Sequence, residues 1–147
     1  MKDITIRNAT YMDAPAIKLL LEALGYAAST SILVGQLAND FDQGDHQVWV
    51  FELKKEVVGF IAVHFLPQLA FDGGVAIISY LSVDESIRTV DIAAVLEKHV
   101  AVQARARKCE RIQVHCLDWR TPAHQFYLNQ GYTEYPKYFT KRIAYGE

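Results

Sequence analysis

The chain has 147 residues, which is enough for one compact domain and leaves little room for a second. Hydrophobic residues make up 51% and charged residues 22%, a balance that is typical of globular proteins and excludes a disordered chain. The 15 Lys and Arg and the 17 Asp and Glu give a formal charge of −2, too little positive charge for a nucleic-acid-binding surface. We therefore expect a single globular domain over residues 1–147 whose main partner is not nucleic acid.

Three features bear on the location of the protein. Residues 1–7 alternate and carry charges, which is typical of a strand and not of a signal peptide. The longest apolar stretch, residues 57–66, is interrupted by Gly and His and is too short to span a bilayer. Cys109 and Cys116 lack CxxC spacing, so we interpret them as reduced structural thiols. The expectation is a soluble, cytoplasmic protein without a membrane partner or a metal site.

The first third of the chain predicts one strand and two helices. Residues 4–7 alternate like a strand. Asp13 is a good N-cap for a first helix, whose apolar residues recur at helical spacing from Ile17, and Gly25 ends it. A second helix is predicted from about Ser31, with an apolar face formed by Val34, Leu37, Ala38 and Phe41.

The middle of the chain predicts three strands, at residues 48–53, 57–66 and 75–83. A polar turn at 54–56 joins the first two, and a longer loop at 67–74 joins the last two. These strands are apolar at nearly every position, as expected when both faces of a sheet are covered.

Helices and strands alternate in the C-terminal half. The pattern predicts a helix over 89–108, a strand over 111–116, a helix over 121–130 ended by Gly131, and closing strands at 132–135 and 138–143. The complete order is β-α-α-β-β-β-α-β-α-β-β. It predicts an α/β protein with a mixed sheet and helices on both faces.

Two segments have features of a functional site. Residues 81–93 form a strand that leads directly into a helix, and a helix N-terminus offers free amides and a positive dipole end to a phosphate. Residues 120–132 form a short helix with a Phe126-Tyr127 pair, closed by Gly131 and Tyr132.

The chain resembles the GNAT superfamily of N-acetyltransferases over nearly its whole length. The element order matches, and the second segment is similar to the late motif of the family, Ala-x-x-Phe-Tyr followed by Gly-Tyr or Gly-Phe. Here the motif runs from Ala123 through Phe126-Tyr127 to Gly131-Tyr132. The resemblance implies the acyl-CoA N-acyltransferase fold, a central mixed β-sheet flanked by helices.

The first segment aligns with the acetyl-CoA pyrophosphate loop of the family, (Arg/Gln)-x-x-Gly-x-(Gly/Ala). Arg88 and Ala93 fit this pattern, but Asp91 replaces the central glycine. At an effective dielectric constant of ~20, a like-charge contact at about 4 Å costs on the order of 4 kcal/mol before relaxation. Three interpretations are open: Asp91 points into solvent, it caps the helix and blocks the site, or the alignment is shifted by a residue.

The resemblance implies acetyl transfer from acetyl-CoA to a primary amine of a small molecule or a peptide. The acetyl group would lie where two strands separate, between residues 81–83 and 111–116, with a backbone N–H near Val83 stabilising the oxyanion. Tyr127 matches the tyrosine that protonates the departing thiolate. The implied cofactor-binding residues are Leu81, Ser82, Val83, Arg88, Thr89, Val90, Asp91, Ile92, Ala93, Arg120, Phe126 and Tyr127.

The general base is not evident from the sequence. Many family members have a glutamate one or two residues before the position of Leu81, where this chain has Ser79 and Tyr80. Glu52 acting through a water, Tyr80 as a relay, and deprotonation by solvent remain open. The departures at Asp91 and Ser79 indicate an atypical or impaired enzyme. They leave an alternative function, a GNAT-fold binding or regulatory module that has lost CoA-dependent catalysis.

The acceptor site is expected to include residues 25–31 and 67–74 and the turn at 136–137. These segments bring together Tyr26, Leu69, Phe71, Tyr138 and the acidic Asp72. Alternatively, Leu69 and Phe71 form the contact of a homodimer. None of the histidines pairs at metal-ligand spacing, so structural or surface roles are predicted for His46, His64, His99, His115 and His124.

Overall fold

The structure, a computed structural model, describes residues 3–41, 44–87, 90–115, 121–135 and 139–143. The chain divides into two compact units, Met1–His115 and Cys116–Glu147, and each is described by itself. No helix among the described residues is both long and apolar enough to cross a bilayer.

The first unit is built on one five-stranded sheet. Its strands follow the order β1-β2-β3-β4-β5, where β1 is Ile4–Asn8, β2 His46–Leu53, β3 Glu56–Gln68, β4 Phe71–Val83 and β5 Arg111–Val114. Neighbouring strands are antiparallel except β4 and β5, which are parallel. The predicted mixed sheet is confirmed.

Helices cover both faces of this sheet. Helices α1 (Ala14–Ala23) and α2 (Thr30–Asn39) pack on one face, and α3 (Ile92–Ala106) packs on the other. Because successive strand residues point to opposite faces, Val50 lies in the core with α1 and α2, while its neighbour Phe51 lies in the core with α3. This double burial explains why the strands are apolar at nearly every position.

Asp13 precedes α1 as predicted, but its side chain does not cap that helix. Its carboxylate accepts two hydrogen bonds from Arg7, at 2.8 and 2.9 Å, and one from the Thr10 amide, at 2.8 Å. Burial raises the pKa of Asp13, but the hydrogen bonds from Arg7 and Thr10 outweigh burial and lower it. Arg7 also donates to Glu52 Oε2, at 2.9 and 3.1 Å. The predicted capping role is therefore wrong, because the Asp13 carboxylate is hydrogen-bonded to Arg7 and Thr10 instead.

The predicted loop over 67–74 is also wrong. Strand β3 continues to Gln68 and β4 begins at Phe71, so only two residues connect them. The register passes from Leu66 opposite Val75 to Gln68 opposite Phe71, which leaves three β4 residues against Pro67 alone. This bulge accommodates a proline that has no amide to donate to the ladder.

Two elements in the second half of the first unit, α3 and β5, are shorter than predicted. Helix α3 begins at Ile92, where Asp91 caps it, and not at residue 89, which lies outside the described residues. Strand β5 ends at Val114, whereas the predicted strand continued to residue 116, which lies outside the described residues.

The second unit contains helix α4, Thr121–Asn129, as predicted to within one residue. Gly131 follows it with a φ of +95°, a conformation that favours glycine, and the Tyr132 amide donates to the Tyr127 carbonyl at 3.0 Å. The closing strands predicted at 132–135 and 138–143 are absent from the described residues 132–135 and 139–143. Apart from Tyr132 these residues are exposed, so they lack the buried face that specifies strand pairing.

His99 on α3 makes the stability of the fold sensitive to acid. Burial lowers its pKa, its ring packs edge-on against Trp49, and its Nε2 finds no hydrogen-bond partner in the described part of the chain. Below about pH 6.5 the unfolded chain binds a proton at this histidine that the folded chain resists, so stability falls as pH falls. We expect His99→Leu to reduce the loss of stability between pH 7.5 and 5.5, measured by urea unfolding. An unchanged loss would contradict this role.

Candidate functional site

A turn at residues 84–87 follows the end of β4. The Asp84 amide donates to the Val58 carbonyl at 2.8 Å, which holds the turn to β3. Asp84 Oδ1 accepts from the amide and the hydroxyl of Ser86, at 3.0 and 2.7 Å, and these hydrogen bonds lower the pKa of Asp84. Asp84 therefore shapes the backbone of the turn through its own side chain.

Asp91 caps α3. Its Oδ1 accepts from the Ala94 amide at 3.2 Å, and its carbonyl accepts the first intrahelical bond, from Val95, at 3.1 Å. The amides of Ile92 and Ala93 precede that first bond and point out of the helix end. Of the interpretations of Asp91 left open by the sequence, the structure shows the cap, so one amide of the helix end is already bonded.

An open pocket of about 290 Å³ lies at this strand–turn–helix junction. Its described lining is Val83, Asp84, Glu85, Ile87, Val90, Asp91, Ile92 and Ala93. Five of these were predicted cofactor-binding residues: Val83, Val90, Asp91, Ile92 and Ala93. The described lining carries three carboxylates and no Lys or Arg, while the predicted Arg88, Thr89 and Arg120 lie outside the described residues.

Leu81 and Ser82 lie on β4 before the pocket and are not part of its lining. Ser82 is buried, and its hydroxyl donates to the Leu20 carbonyl of α1 at 2.8 Å. Leu81 packs against the core under α3. Both side chains hold the strand that leads to the pocket.

Gly59 on β3 allows the first turn of α3 to approach the sheet closely. A Cβ at this position would lie 2.8 Å from Ile92 Cγ2 and 3.2 Å from Val83 Cγ1. Both neighbours line the pocket, so the missing side chain of Gly59 fixes where the helix end stands relative to β4.

A β-bulge marks the point where β4 leaves β5. Val63 pairs with Ile78 and Ala62 with Tyr80, so Ser79 is the extra residue on β4. The pairing of β4 with β5 also ends at Ile78. Beyond the bulge, residues 79–83 have no β5 partner among the described residues, at the position where the two strands were expected to separate.

Ser79 belongs to a polar cluster with two histidines, which we call the bulge cluster: His46 on β2, His64 on β3 and Ser79 on β4. His64 Nε2 lies 3.0 Å from Ser79 Oγ, and His64 Nδ1 lies 2.9 Å from His46 Nδ1. Burial and the nearby His46 lower the pKa of His64. We predicted separate roles for these two histidines and did not predict the cluster. In the structure they are paired opposite each other on β2 and β3.

The structure gives the two candidate bases different surroundings. Glu52 lies on β2, two strands from β4, and Arg7 holds its carboxylate. Tyr80 lies on β4 next to the bulge and is partly exposed, with its ring edge-on to Tyr26 at 5.3 Å between centroids. Of these two, only Tyr80 lies beside the bulge.

The residues expected at the acceptor site are spread over the first unit. Tyr26 contacts Tyr80. Leu69 is fully exposed at the tip of the β3–β4 hairpin, and Asp72 is exposed beside it. The Phe71 ring lies under Arg111, whose guanidinium carbon is 4.4 Å from the ring centroid. Tyr138 and the turn at 136–137 lie outside the described residues.

In the second unit, Tyr127 is buried between two other aromatic side chains. The Phe126 ring lies 5.1 Å and the Tyr132 ring 5.4 Å from the Tyr127 ring, both edge-on between centroids. Such edge-to-face arrangements are favourable for aromatic rings. The late motif thus forms one aromatic cluster around the predicted catalytic phenol.

Within the described ranges, no three His, Cys, Asp or Glu side chains are grouped as a metal ion would require. Cys109 is a free thiol. Burial raises its pKa, which nearby Arg107 partly offsets, so the thiol form is favoured. Cys116 lies outside the described residues.

Comparisons with known proteins find chains of similar fold. An aminoglycoside acetyltransferase from an uncultured soil metagenomic sample is 21% identical, with a TM-score of 0.78 over 97% of this chain and 98% of that chain. A ribosomal-protein-alanine N-acetyltransferase from Brucella melitensis biovar Abortus 2308 is 15% identical, with a TM-score of 0.78 over 95% and 99% of the two chains. A transcriptional regulator from Bacillus halodurans C-125 is 21% identical, with a TM-score of 0.82 over 95% and 99%.

At these identities the likeness concerns the fold. No curated protein matches the sequence. The model of the acetyltransferase (GNAT) family matches residues 14–132, most of the chain, including the pocket segment and the late motif. The chain belongs to the GNAT family of acetyltransferases.

Proposed function

We propose that this chain is an acetyl-CoA-dependent N-acetyltransferase that acetylates a primary amine of a small molecule or a peptide. The observation that carries the proposal is the pocket where β4 leads into the N-terminus of α3. Family membership supports the acyl transfer, and we propose that the pocket holds the phosphates of the donor. We also propose that residues 1–147 act as one functional domain.

The backbone donors at the pocket suit a pyrophosphate. The Ile92 and Ala93 amides and the positive end of the α3 dipole attract an anion, and Arg88 would add a positive charge. Asp84, Glu85 and Asp91 oppose this attraction. We therefore expect acetyl-CoA to bind, but more weakly than it would to a pocket with glycine at position 91.

The proposed chemistry is direct transfer. Acetyl-CoA supplies an activated acetyl thioester. We propose that an amide near Val83, on the part of β4 beyond the bulge, stabilises negative charge on the carbonyl oxygen. Tyr127, with a reference pKa near 10, would donate its phenolic proton to the departing thiolate. These two groups act in the transition state, so their loss should reduce turnover more than binding.

Calorimetric titration with acetyl-CoA tests the proposal through Asp91. Asp91→Asn keeps a side-chain oxygen for the cap and removes the charge, whereas Asp91→Gly removes both. We expect the wild type to bind at micromolar level, about −8 kcal/mol. We expect each variant to bind about tenfold more tightly, roughly 1.4 kcal/mol, because Asp91 is exposed and solvent screens its charge.

The pattern among the three proteins decides which property of Asp91 matters. Equal gains for Asn and Gly assign the effect to the charge, and a gain for Gly alone assigns it to the capping side chain. If none of the three proteins binds acetyl-CoA, the proposed donor is wrong.

The second candidate function is a GNAT-fold binding or regulatory module that has lost CoA-dependent catalysis. The acidic lining and the occupied Ala94 amide favour it, because both disfavour an anion. Binding by Asp91→Gly without binding by the wild type supports this function. Micromolar binding by the wild type argues against it.

The acceptor, the assembly and the location are proposed on narrower grounds. The aromatic pair Tyr26 and Tyr80 favours a modest, partly apolar amine over a polycation. Fully exposed Leu69 favours a homodimer contact at the β3–β4 hairpin. The two-thiol composition favours a cytoplasmic location.

A further inference from the structure

We propose that the bulge cluster, Ser79, His64 and His46, is a proton relay that deprotonates the acceptor amine before acetyl transfer. This inference rests on the proposed function, because amine acetylation is the reaction that needs such a step. A primary amine is protonated near neutral pH and has no free lone pair until it loses a proton. A base positioned where acceptor and acyl group meet removes that barrier.

The bulge brings the cluster to the place where this proton must leave. Ser79 is the extra residue of β4, at the end of the β4–β5 pairing. Ser79 is exposed, and we expect a substrate amine to approach Oγ from solvent. Ser79 contacts His64, which is half-buried. His64 in turn contacts His46, which is exposed to solvent. The three side chains form a line of hydrogen bonds from the bulge to bulk water.

The cluster lies on the sheet face opposite α3. Successive strand residues point to opposite faces, so His64 points away from the face of Phe65, which belongs to the core under α3. His64 shares its face with Ala62, which packs with α1 and α2. The pocket at the α3 N-terminus would supply the acyl donor from the other side of the sheet. Donor and acceptor would therefore meet at the bulge from opposite faces.

The hydrogen-bond geometry fixes which atom can take the proton. The two Nδ1 atoms are 2.9 Å apart, so one of them must donate and the other accept. When His64 Nδ1–H donates to His46, the His64 Nε2 lone pair faces Ser79 Oγ at 3.0 Å and accepts its proton. Two imidazolium rings would repel each other across this contact, which disfavours a charge on the partly buried His64.

Among the described residues, no carboxylate is hydrogen-bonded or ion-paired to the His64 ring. His46 faces the ring from β2, Ser79 from β4, and the Phe41 ring, beyond α2, lies 5.7 Å away between centroids. Partial burial among these groups lowers the pKa of His64. A neutral imidazole at neutral pH is the form that a general base requires.

The proposed step is balanced in protons and electrons. The ammonium group gives one proton to Ser79 Oγ while the Ser79 hydroxyl proton moves to His64 Nε2. His64 then passes its Nδ1 proton to His46 Nδ1, and His46 releases a proton to water from Nε2. The amine lone pair forms the N–C bond as the C–S bond breaks, and the thiolate takes a proton from its acid. The new amide nitrogen then loses a further proton, which restores that acid. Ser79 and both histidines return to their starting states after proton reorganisation.

The test compares pH profiles of acetyl transfer to phenethylamine, an apolar primary amine used as the probe. We expect His64→Gln and Ser79→Ala to lower kcat/KM about 100-fold near pH 7. We expect the loss to shrink as pH rises toward the pKa of the amine, because a substrate that is already neutral needs no base. Ser79→Thr, which keeps the hydroxyl, should retain most of the activity. Ser79 is exposed, so its substitution leaves the core unchanged.

Two results would overturn the relay. The first is a loss of kcat/KM that is equal at every pH, or no loss, in both His64→Gln and Ser79→Ala. The second comes from histidine NMR of the ligand-free protein: His46 and His64 both becoming fully charged by pH 5, each as an independent ring. If the wild type forms no N-acetylphenethylamine, the proposed transfer to this amine fails, and the NMR result alone decides the relay.

Discussion

Replacing Gly73 with alanine should strongly destabilise the first unit. A Cβ at Gly73 would lie 1.5 Å from the Lys108 carbonyl oxygen and 2.6 Å from its carbonyl carbon. Overpacking usually costs about 1–3 kcal/mol because side chains can rotate away. At Gly73 the obstacle is backbone at the α3–β5 connection, so we expect a loss above about 3 kcal/mol, a large share of a typical total of roughly 5–15 kcal/mol.

Urea unfolding of Gly73→Ala beside Gly35→Ala measures this effect against a matched control. Gly35 lies inside α2, and a Cβ at this position would have no atom within 4 Å. Alanine favours helix over glycine by about 1 kcal/mol, so Gly35→Ala should be neutral or stabilising. A Gly73→Ala protein that unfolds at the wild-type urea concentration would refute the close approach between the β3–β4 hairpin and Lys108.

Replacing Tyr127 with phenylalanine should lower turnover about 10²- to 10⁴-fold while leaving acetyl-CoA affinity nearly unchanged. Phenylalanine keeps the ring that packs against Phe126 and Tyr132 and removes only the hydroxyl. A proton donor to the leaving thiolate acts in the transition state, so its loss affects kcat and not ground-state binding.

Tyr132→Phe is the matched control, because it removes a phenol from the same aromatic cluster. We expect this variant to retain wild-type turnover. Steady-state kinetics and calorimetry on both variants separate catalysis from binding. Wild-type turnover in Tyr127→Phe would assign Tyr127 a packing role alone.

Apolar periodicity predicted most of the sheet and every described α-helix because burial on two faces dominates these elements. Val50 and Phe51 illustrate the point: neighbouring apolar residues report two cores on opposite sides of one strand. The closing strands at 132–135 and 138–143 show the limit of short alternating patterns. Their described residues are mostly exposed, so no buried face supports the pairing that the pattern suggested.

Side-chain roles at the ends of elements were harder to predict, because the same residue can satisfy several partners. Asp13 and Asp91 both precede helices. Asp91 caps its helix, whereas the Asp13 carboxylate is ion-paired with Arg7. Periodicity records which residues are buried; it does not record a distant partner such as an arginine on a strand. The replacement of glycine by Asp91 was visible in the sequence, which left open whether the side chain caps α3.

The bulge cluster depended on register, which the sequence encodes only indirectly. A regular hairpin through the two-residue turn at 54–55, in which Leu53 pairs with Glu56, would place His46 opposite Val63. The extra residue Val58 shifts the register by one and brings His46 opposite His64. A second bulge, at Ser79, then brings that hydroxyl to His64. Because bulges have no strong sequence signal in apolar strands, the separate histidines gave no indication of a shared function.

The most direct measurement is the transfer of a labelled acetyl group. The wild-type protein is incubated with acetyl-CoA carrying ¹³C in the acetyl group and with a panel of small primary amines and peptides. Mass spectrometry then follows the labelled product and free CoA thiol. We predict that at least one amine gains the labelled acetyl group in an amount equal to the thiol released. Thiol release without acetylated amine, or no acetylated amine from a folded protein across the panel, would contradict the proposed N-acetyltransferase activity.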